Sequence, residues 1–127
     1  MNSTNQSLKP ITTKINQAGN IEIGGCDLVE LAEKYGTPLY VLDEETIRAV
    51  CRDYKNAFKA YDKVNMMFAS KALCSMASSA IAASEGFGFD VVSAGEIYTV
   101  YKAGADMSKV LFNGCLLYTS PSPRDRS

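Results

Sequence analysis

The feature of this sequence that most restricts its fold is an alternation of short apolar segments with stretches that favour helix. Apolar segments at residues 64–71, 88–93 and 109–112 are separated by a Ser- and Ala-rich stretch at 75–85 and by a stretch that starts after Ser93 and stops at Gly104. Near-continuous apolar strands that alternate with helices are typical of parallel βαβ units, because helices cover the strands. The pattern predicts an α/β fold on a parallel sheet, either an open doubly wound sheet or a TIM-type barrel.

Upstream of this pattern lie a polar leader and a helix with clear ends. Residues 1–19 are rich in Asn, Ser, Thr and Gln without periodicity, so we expect a flexible leader, with order beginning near Ile21. Asp27 is a suitable N-cap for a helix that runs to Tyr35, before a Gly-Thr-Pro stop. The apolar segment at 39–42 then predicts a strand.

A long amphipathic helix is predicted after Asp43. Asp43 can cap this helix, and two glutamates in its first turn suit the positive end of the helix dipole. Apolar side chains recur at spacings of three and four and form one stripe that we expect to be buried: Ile47, Val50, Cys51, Tyr54, Phe58 and Tyr61.

The composition argues against several classes of function. The 127 residues are 46% hydrophobic and 21% charged with a formal net charge of -1, so charge favours neither nucleic acid nor a membrane surface as a partner. No stretch reaches the roughly 18 apolar residues of a membrane helix, which makes the cytoplasm the expected location. There is no histidine, which removes Ser–His and Cys–His nucleophiles and mixed Cys/His zinc sites, and the four cysteines occur singly, so we expect no metal site.

Lys71 lies at the end of one apolar segment, and Asp90 lies within the next. In a strand with alternating side chains, Lys71 shares a face with Met67 and with Ala69, which leaves room in front of the amine. The same alternation places Asp90 opposite Phe89, so that parallel neighbouring strands would bring the amine and the carboxylate into one interior. From position alone, Lys71 could instead reach solvent and Asp90 could cap or pair locally.

The sequence changes character at Cys115. Residues 115–127 contain prolines, serines and arginines without an apolar period and resemble a translated sequencing-adaptor or cloning scar. We expect this tail to be non-native, with the natural reading frame left near Gly114. A natural disordered tail is the alternative.

Three separated motifs resemble those of a known enzyme family. They are DLVELAEKYGTPLYVLD at residues 27–43, FASKA at 68–72 and GFDVVSAGE at 88–96. In this order they are similar to the N-terminal part of the decarboxylases of ornithine, diaminopimelate and arginine that depend on pyridoxal 5'-phosphate (PLP), and most to the diaminopimelate branch. The resemblance covers residues 21–114.

The resemblance implies a particular fold. It implies a partial TIM (β/α)8 barrel of the alanine-racemase-like PLP-binding type, truncated after about three barrel strands. Residues 20–42 would form a lead-in helix and strand belonging to a β-domain of the parent fold. Residues 43–114 would form the N-terminal part of the PLP-binding barrel, between the leader at 1–19 and the tail at 115–127.

The resemblance also implies a cofactor and a reaction. Lys71 would hold the PLP aldehyde as a Schiff base, with Asp90 and Ala69 beside the cofactor, whereas Glu96 would be only a capping-box residue. PLP accepts the electrons that departing carbon dioxide leaves behind. The implied reaction is the decarboxylation of meso-diaminopimelate, a small amino acid, to L-lysine.

Several parts that the family uses are absent from this sequence. They are a ring-stacking histidine, a glycine-rich phosphate loop, an acid that pairs with the pyridine nitrogen, and a cysteine and a tyrosine contributed across a dimer interface. A TIM barrel needs about 250 residues and eight strands. We therefore expect the parent protein to be a homodimer with its active site at the interface, and we expect this chain alone to be inactive.

Other functions stay open at this point. The same lysine motif could serve a racemase or a decarboxylase of the ornithine or arginine type. A non-catalytic PLP-binding barrel protein also carries a lysine at a strand end, but such proteins generally lack the lead-in at residues 21–42. A doubly wound nucleotide binder around Gly86 and Gly88 fits poorly, because Val91 stands where the final glycine is required and these glycines precede a strand.

Overall fold

The structure is a computed structural model that describes residues 8–114. The tail at 115–127 that we predict to be non-native lies outside the described residues, as do residues 1–7 of the expected leader. The chain divides into two compact units, residues 1–50 and 51–127, and each is described by itself. Within residues 8–114, no helix has the length and apolar character needed to cross a membrane.

The first unit contains a small antiparallel sheet of three strands, β1 (Lys14–Ile15), β2 (Ile21–Ile23) and β3 (Cys26–Asp27), paired in that order. Between β1 and β2, the Asn16 carboxamide oxygen accepts hydrogen bonds from the backbone N–H groups of Ala18 and Asn20, both at 3.0 Å. This Asn side chain shapes the turn that lets β1 pair with β2. Regular structure therefore begins before Ile21, and the expectation that it starts there is wrong.

Helix α1 (Leu28–Tyr35) has the ends that the sequence predicts. One carboxylate oxygen of Asp27 accepts from the Val29 N–H at 2.7 Å, and the other accepts from the side-chain amides of Asn16 and Asn20 at 2.6 and 2.9 Å. These donors lower the pKa of Asp27, with the Asn20 amide as the largest cause. The Asp27 carboxylate thus joins the first hairpin to the start of α1.

The strand predicted at residues 39–42 is not formed. These residues are in irregular backbone, and their side chains are exposed, with Tyr40 97% accessible. A strand forms only where another strand accepts its hydrogen bonds, and no strand within residues 8–114 pairs with this segment. Its sequence has strand propensity without a partner in the described part of the chain.

Helix α2 (Glu44–Ala57) begins where the sequence predicts. Asp43 is buried and accepts from the Thr12 hydroxyl at 2.9 Å and from the Thr46 hydroxyl. The Thr46 hydroxyl is the largest cause of a lowered pKa at Asp43, and the backbone N–H groups of Glu45 and Thr46 add to it. Asp43 is therefore the N-cap of α2, as the sequence predicts.

The predicted apolar stripe of α2 is only partly correct. The helix stops at Ala57, before Phe58 and Tyr61, and of the six stripe residues only Cys51 is buried. Tyr54 is 57% and Tyr61 is 67% accessible. Periodicity identifies an apolar face but does not reveal whether another element covers it.

The second unit contains a parallel sheet in the order β4 (Met67–Ala69), β5 (Gly88–Val91) and β6 (Val110–Phe112). Helices α3 (Met76–Ser84) and α4 (Ala94–Lys102) connect these strands. The predicted cap at Ser93 is confirmed, because its hydroxyl accepts from the Glu96 N–H at 3.2 Å. The Ser75 hydroxyl caps α3 by accepting from the Ser78 N–H at 3.1 Å. The predicted parallel βα units are also confirmed.

The core of the second unit lies on one face of this sheet. Phe89 and Val91 of β5 are fully buried against Ala82 of α3 and Val100 of α4. The rings of Phe68 and Phe89 meet edge to face, with centroids 6.1 Å apart. Both connecting helices therefore cover the same sheet face.

A partly buried ion pair fixes the turn after α3. The Glu85 side chain is 8% accessible and accepts from Arg52 Nη2 at 2.9 Å, while Lys55 Nζ donates to the Glu85 backbone carbonyl at 2.7 Å. Arg52 and Lys55 lie on the last turns of α2. This contact anchors the end of α2 beside the start of β5.

The Gly88→Ala substitution should destabilise the second unit. A Cβ at Gly88 would lie 2.5 Å from the Lys109 carbonyl oxygen and 2.7 Å from Met67 Sδ. We expect the free energy of unfolding, measured by urea denaturation, to fall by about 1–3 kcal/mol. Gly95→Ala in α4 is the matched control, since its Cβ approaches nothing closer than 3.9 Å, and alanine there should be neutral or stabilising. Equal stability of Gly88→Ala and the parent chain would contradict the close packing of β4, β5 and β6.

Candidate cofactor site

The candidate site lies at the edge where β4 and β5 end. These parallel strands pair in register, with Ala69 opposite Asp90, and Asp90 in turn is opposite Leu111 of β6. The carboxyl ends of parallel strands meet at one edge of a sheet, and α/β proteins bind their ligands at that edge. Two of the three predicted site residues, Ala69 and Asp90, are therefore neighbours at this edge.

Lys71 lies just beyond the strand. β4 ends at Ala69, and Ser70–Ala72 form a 3-10 turn in which the Leu73 N–H donates to the Ser70 carbonyl at 3.1 Å. The prediction that Lys71 shares a strand face with Ala69 is wrong, because successive side chains in a 3-10 turn rotate by about 120° instead of alternating. Lys71 is exposed in the turn that follows the carboxyl end of β4.

Asp90 has the orientation that strand alternation predicts. Phe89 and Val91 on either side are fully buried in the core beneath the helices, so the Asp90 side chain lies on the other face of the sheet. Its Oδ1 atom is buried and has no hydrogen-bond partner within residues 8–114. Leaving such an oxygen unpaired costs about 1–3 kcal/mol or more. A bound polar group would remove this cost.

Glu96 links three segments around the site. Its Oε2 accepts from the Ser70 hydroxyl and from the Val92 N–H at 3.1 Å, and its Oε1 accepts from the Ser93 hydroxyl at 3.3 Å. Ser70 is fully buried, and its hydroxyl also lies 3.2 Å from the Asp90 carbonyl oxygen. The prediction that Glu96 is only a capping residue is therefore wrong.

Sequence reasoning identifies the capping box of Glu96 because Ser93 and Glu96 are three residues apart. The contact with Ser70 spans 26 residues of sequence and leaves no local signal. The sequence shows that Ser70 precedes Lys71. It does not show that Ser70 contacts Glu96, because this contact depends on the pairing of β4 with β5.

The surroundings of Glu96 favour its ionised form. The Ser70 hydroxyl is the largest cause of the lowered pKa of Glu96, partial burial opposes it, and the Val92 N–H, the Ser93 hydroxyl and the charge of Lys71 lower the pKa further. Glu96 is therefore an anion at neutral pH. It lies close enough to Lys71 for the two charges to attract each other.

These residues fit a cofactor of the PLP type. Lys71 offers a primary amine to an aldehyde, and Asp90 offers a buried oxygen that lacks a partner among the described residues. Ala69, opposite Asp90, carries only a methyl group and leaves room beside the carboxylate. An amine that can react with an aldehyde and an oxygen that can accept from a polar ring are therefore both present.

Comparison with known protein families decides the family of the chain. Residues 44–117 match the family model described as "Pyridoxal-dependent decarboxylase, pyridoxal binding domain". This segment is more than half of the chain and contains Ala69, Lys71 and Asp90. The chain belongs to the pyridoxal-dependent decarboxylase family. The candidate site therefore lies within the pyridoxal-binding domain of that family.

Curated relatives of this chain include diaminopimelate decarboxylases. The chain is 48% identical over 103 residues to the enzyme of Synechocystis sp. and 47% identical over 104 residues to that of Bacillus subtilis. These alignments cover 80% and 81% of this chain but only 22% and 24% of the relatives. The chain thus spans about a quarter of the length of the curated relatives it matches.

Solved structures give the same relationship. Diaminopimelate decarboxylase from Methanocaldococcus jannaschii superposes with a TM-score of 0.76 at 39% identity, covering 84% of this chain and 26% of that structure. A second structure of that enzyme, in complex with L-lysine, superposes with a TM-score of 0.74 at 38% identity. The mixed α/β architecture is confirmed.

Glu96 should make the stability of the second unit sensitive to acid. A carboxyl group whose pKa is lower in the folded than in the unfolded chain stabilises the fold at neutral pH, and this contribution is lost as pH falls through the folded pKa. We expect the parent chain to be more stable than Glu96→Gln at pH 7, and the difference to shrink below about pH 4. Urea denaturation at several pH values measures this difference. A difference that is independent of pH would contradict the assigned hydrogen bonds.

Proposed function

We propose that this chain is the N-terminal part of a PLP-dependent decarboxylase that converts meso-diaminopimelate to L-lysine. One observation carries the proposal: within the pyridoxal-binding domain, an exposed lysine follows β4, and a carboxyl group whose buried Oδ1 has no partner among the described residues lies on the adjacent parallel strand β5. The identity of 48% and 47% to two diaminopimelate decarboxylases supports the choice of substrate.

The proposed fold of this chain is a partial TIM (β/α)8 barrel of the alanine-racemase-like type, truncated after about three barrel strands. Three parallel strands in chain order with both connecting helices on one face are the repeat from which a barrel is built. Residues 43–114 would supply the first part of this barrel. Residues 20–42 would belong to the β-domain, which would provide the strand partner that segment 39–42 lacks here.

Each site residue has a proposed role in the reaction. When bound, PLP supplies an electron sink for the decarboxylation. Lys71 would hold the cofactor aldehyde through its amine. Asp90 would accept a hydrogen bond from the cofactor, which would satisfy its buried Oδ1. Ala69 keeps the space next to Asp90 open.

The complete protein is proposed to be a cytoplasmic homodimer with its active site at the interface. One face of the sheet in this chain is uncovered. Leu111 of β6 lies on the sheet face opposite the helices and is 62% accessible. An apolar side chain on an uncovered sheet face needs a partner to leave water.

Replacement of Lys71 should abolish decarboxylation. The test uses a chimera in which residues 21–114 of this chain replace the matching segment of the Bacillus subtilis relative. We expect the Lys71→Ala chimera to lose about a thousandfold or more of the rate of carbon dioxide release from meso-diaminopimelate, because the covalent group is lost. Lys102→Ala, at an exposed lysine of α4, is the matched control and should keep the rate. A Lys71→Ala chimera with the parent rate would overturn the assignment.

The chain alone should not release carbon dioxide from meso-diaminopimelate. It spans about a quarter of its curated relatives, and its sheet of three parallel strands is far from the eight of a closed barrel. The measurement is the same assay with saturating PLP, with the chimera as positive control. A measurable rate from the chain would show that residues of the first three strands suffice for catalysis.

A further inference from the structure

The buried polar contact nearest to Lys71 joins Ser70 to Glu96. Ser70 is fully buried although the next residue, Lys71, is exposed. Ser70 donates its hydroxyl proton to a carboxylate that belongs to the first turn of α4. A buried charge-assisted hydrogen bond restricts both partners more strongly than a neutral one.

We infer that Ser70 and Glu96 are positioning residues for Lys71. The Glu96 carboxylate holds the 3-10 turn after β4 through the Ser70 hydroxyl, and this contact fixes where the Lys71 amine lies relative to Asp90. The inference rests on the proposed role of Lys71 in binding the cofactor.

The hydrogen bonds of Glu96 have a geometry suited to this role. Its Oε2 atom receives a donor from each of two segments, the Ser70 hydroxyl after β4 and the Val92 N–H after β5. The pairing of β4 with β5 ends at Ala69 and Asp90. The Ser70 hydroxyl lies 3.2 Å from the Asp90 carbonyl oxygen. The two segments are therefore also in contact one residue beyond the last pair of β4 and β5. The turn is thus held at its first residue, immediately before Lys71.

Capping of α4 does not account for the Ser70 contact. The Ser93 hydroxyl caps α4 by accepting from the Glu96 N–H, and it donates to Glu96 Oε1. Ser70 donates to the other carboxylate oxygen, Oε2, and lies in a different segment of the chain. The Glu96 carboxylate therefore has two roles: it contacts the Ser93 hydroxyl at the start of α4, and it contacts the Ser70 hydroxyl in the turn that carries Lys71.

The negative charge of Glu96 adds a second effect. Lys71 and Glu96 attract each other, and the charge of Lys71 contributes to the lowered pKa of Glu96. A glutamine at position 96 could still accept from Ser70 but would lose the attraction.

The test compares the reactivity of two lysines in the chain itself. PLP is added, the bond to lysine is reduced with borohydride, and the modified peptides are quantified by mass spectrometry. The readout is the ratio of modification at Lys71 to that at Lys63, an exposed lysine between α2 and β4. We expect Ser70→Ala to lower this ratio about tenfold, which corresponds to the loss of one hydrogen bond to a charged group. Glu96→Gln should lower it by less.

The matched control is Ser93→Ala, which removes the other hydroxyl from the same carboxylate. Because the Ser70 contact remains, Ser93→Ala should keep the parent ratio. Equal ratios in Ser70→Ala and the parent, or an equal fall in Ser93→Ala, would overturn the positioning role while leaving the cofactor assignment intact. A parent chain without preference for Lys71 would overturn both assignments.

A measurement without cofactor tests the contact itself. In an NMR titration of the Glu96 carboxyl carbon, Ser70→Ala should raise the pKa, because the largest cause of its lowering is removed. Protection of the Leu73 amide against hydrogen exchange should fall in the same variant, since that amide closes the turn. An unchanged titration together with unchanged protection would contradict the contact.

Discussion

The parallel pairing of β4 with β5 is the constraint on which the candidate site depends. Because Phe89 and Val91 pack beneath α3 and α4, Asp90 must lie on the opposite sheet face. The register then sets Ala69 beside Asp90, and the turn that begins at Ser70 carries Lys71 past the same edge. Gly88 permits this arrangement, because any side chain there would collide with the Lys109 carbonyl and with Met67. Packing of apolar side chains on one face of the sheet therefore places Asp90 on the other face.

Two carboxylates at this edge have opposite surroundings. Glu96 is surrounded by donors, which lower its pKa and keep it ionised, whereas Asp90 Oδ1 is buried without a partner within residues 8–114. A fully bonded carboxylate organises the structure around it, and an unsatisfied one carries a cost that a ligand can remove. This contrast separates a residue that orders the site from one that can bind a cofactor.

Elements set by local chemistry could be predicted from the sequence. The sequence identifies Asp27, Asp43 and Ser93 as helix caps. Their side chains accept from backbone N–H groups within three residues, and the starts of α1, α2 and α4 follow from these contacts. Features that depend on distant partners could not be predicted. Segment 39–42 has strand propensity but no strand partner in the described region, and the role of Ser70 depends on Glu96, which is 26 residues away. Lys71 departs from strand alternation because β4 ends at Ala69 and a 3-10 turn begins at Ser70.

The central claim is that Lys71 is the lysine that binds PLP. The most direct test is to reduce the PLP-loaded chimera with borohydride and to map the modified residue by mass spectrometry. We expect one modified lysine, Lys71. Modification at any other lysine in a chimera that still decarboxylates meso-diaminopimelate would contradict it.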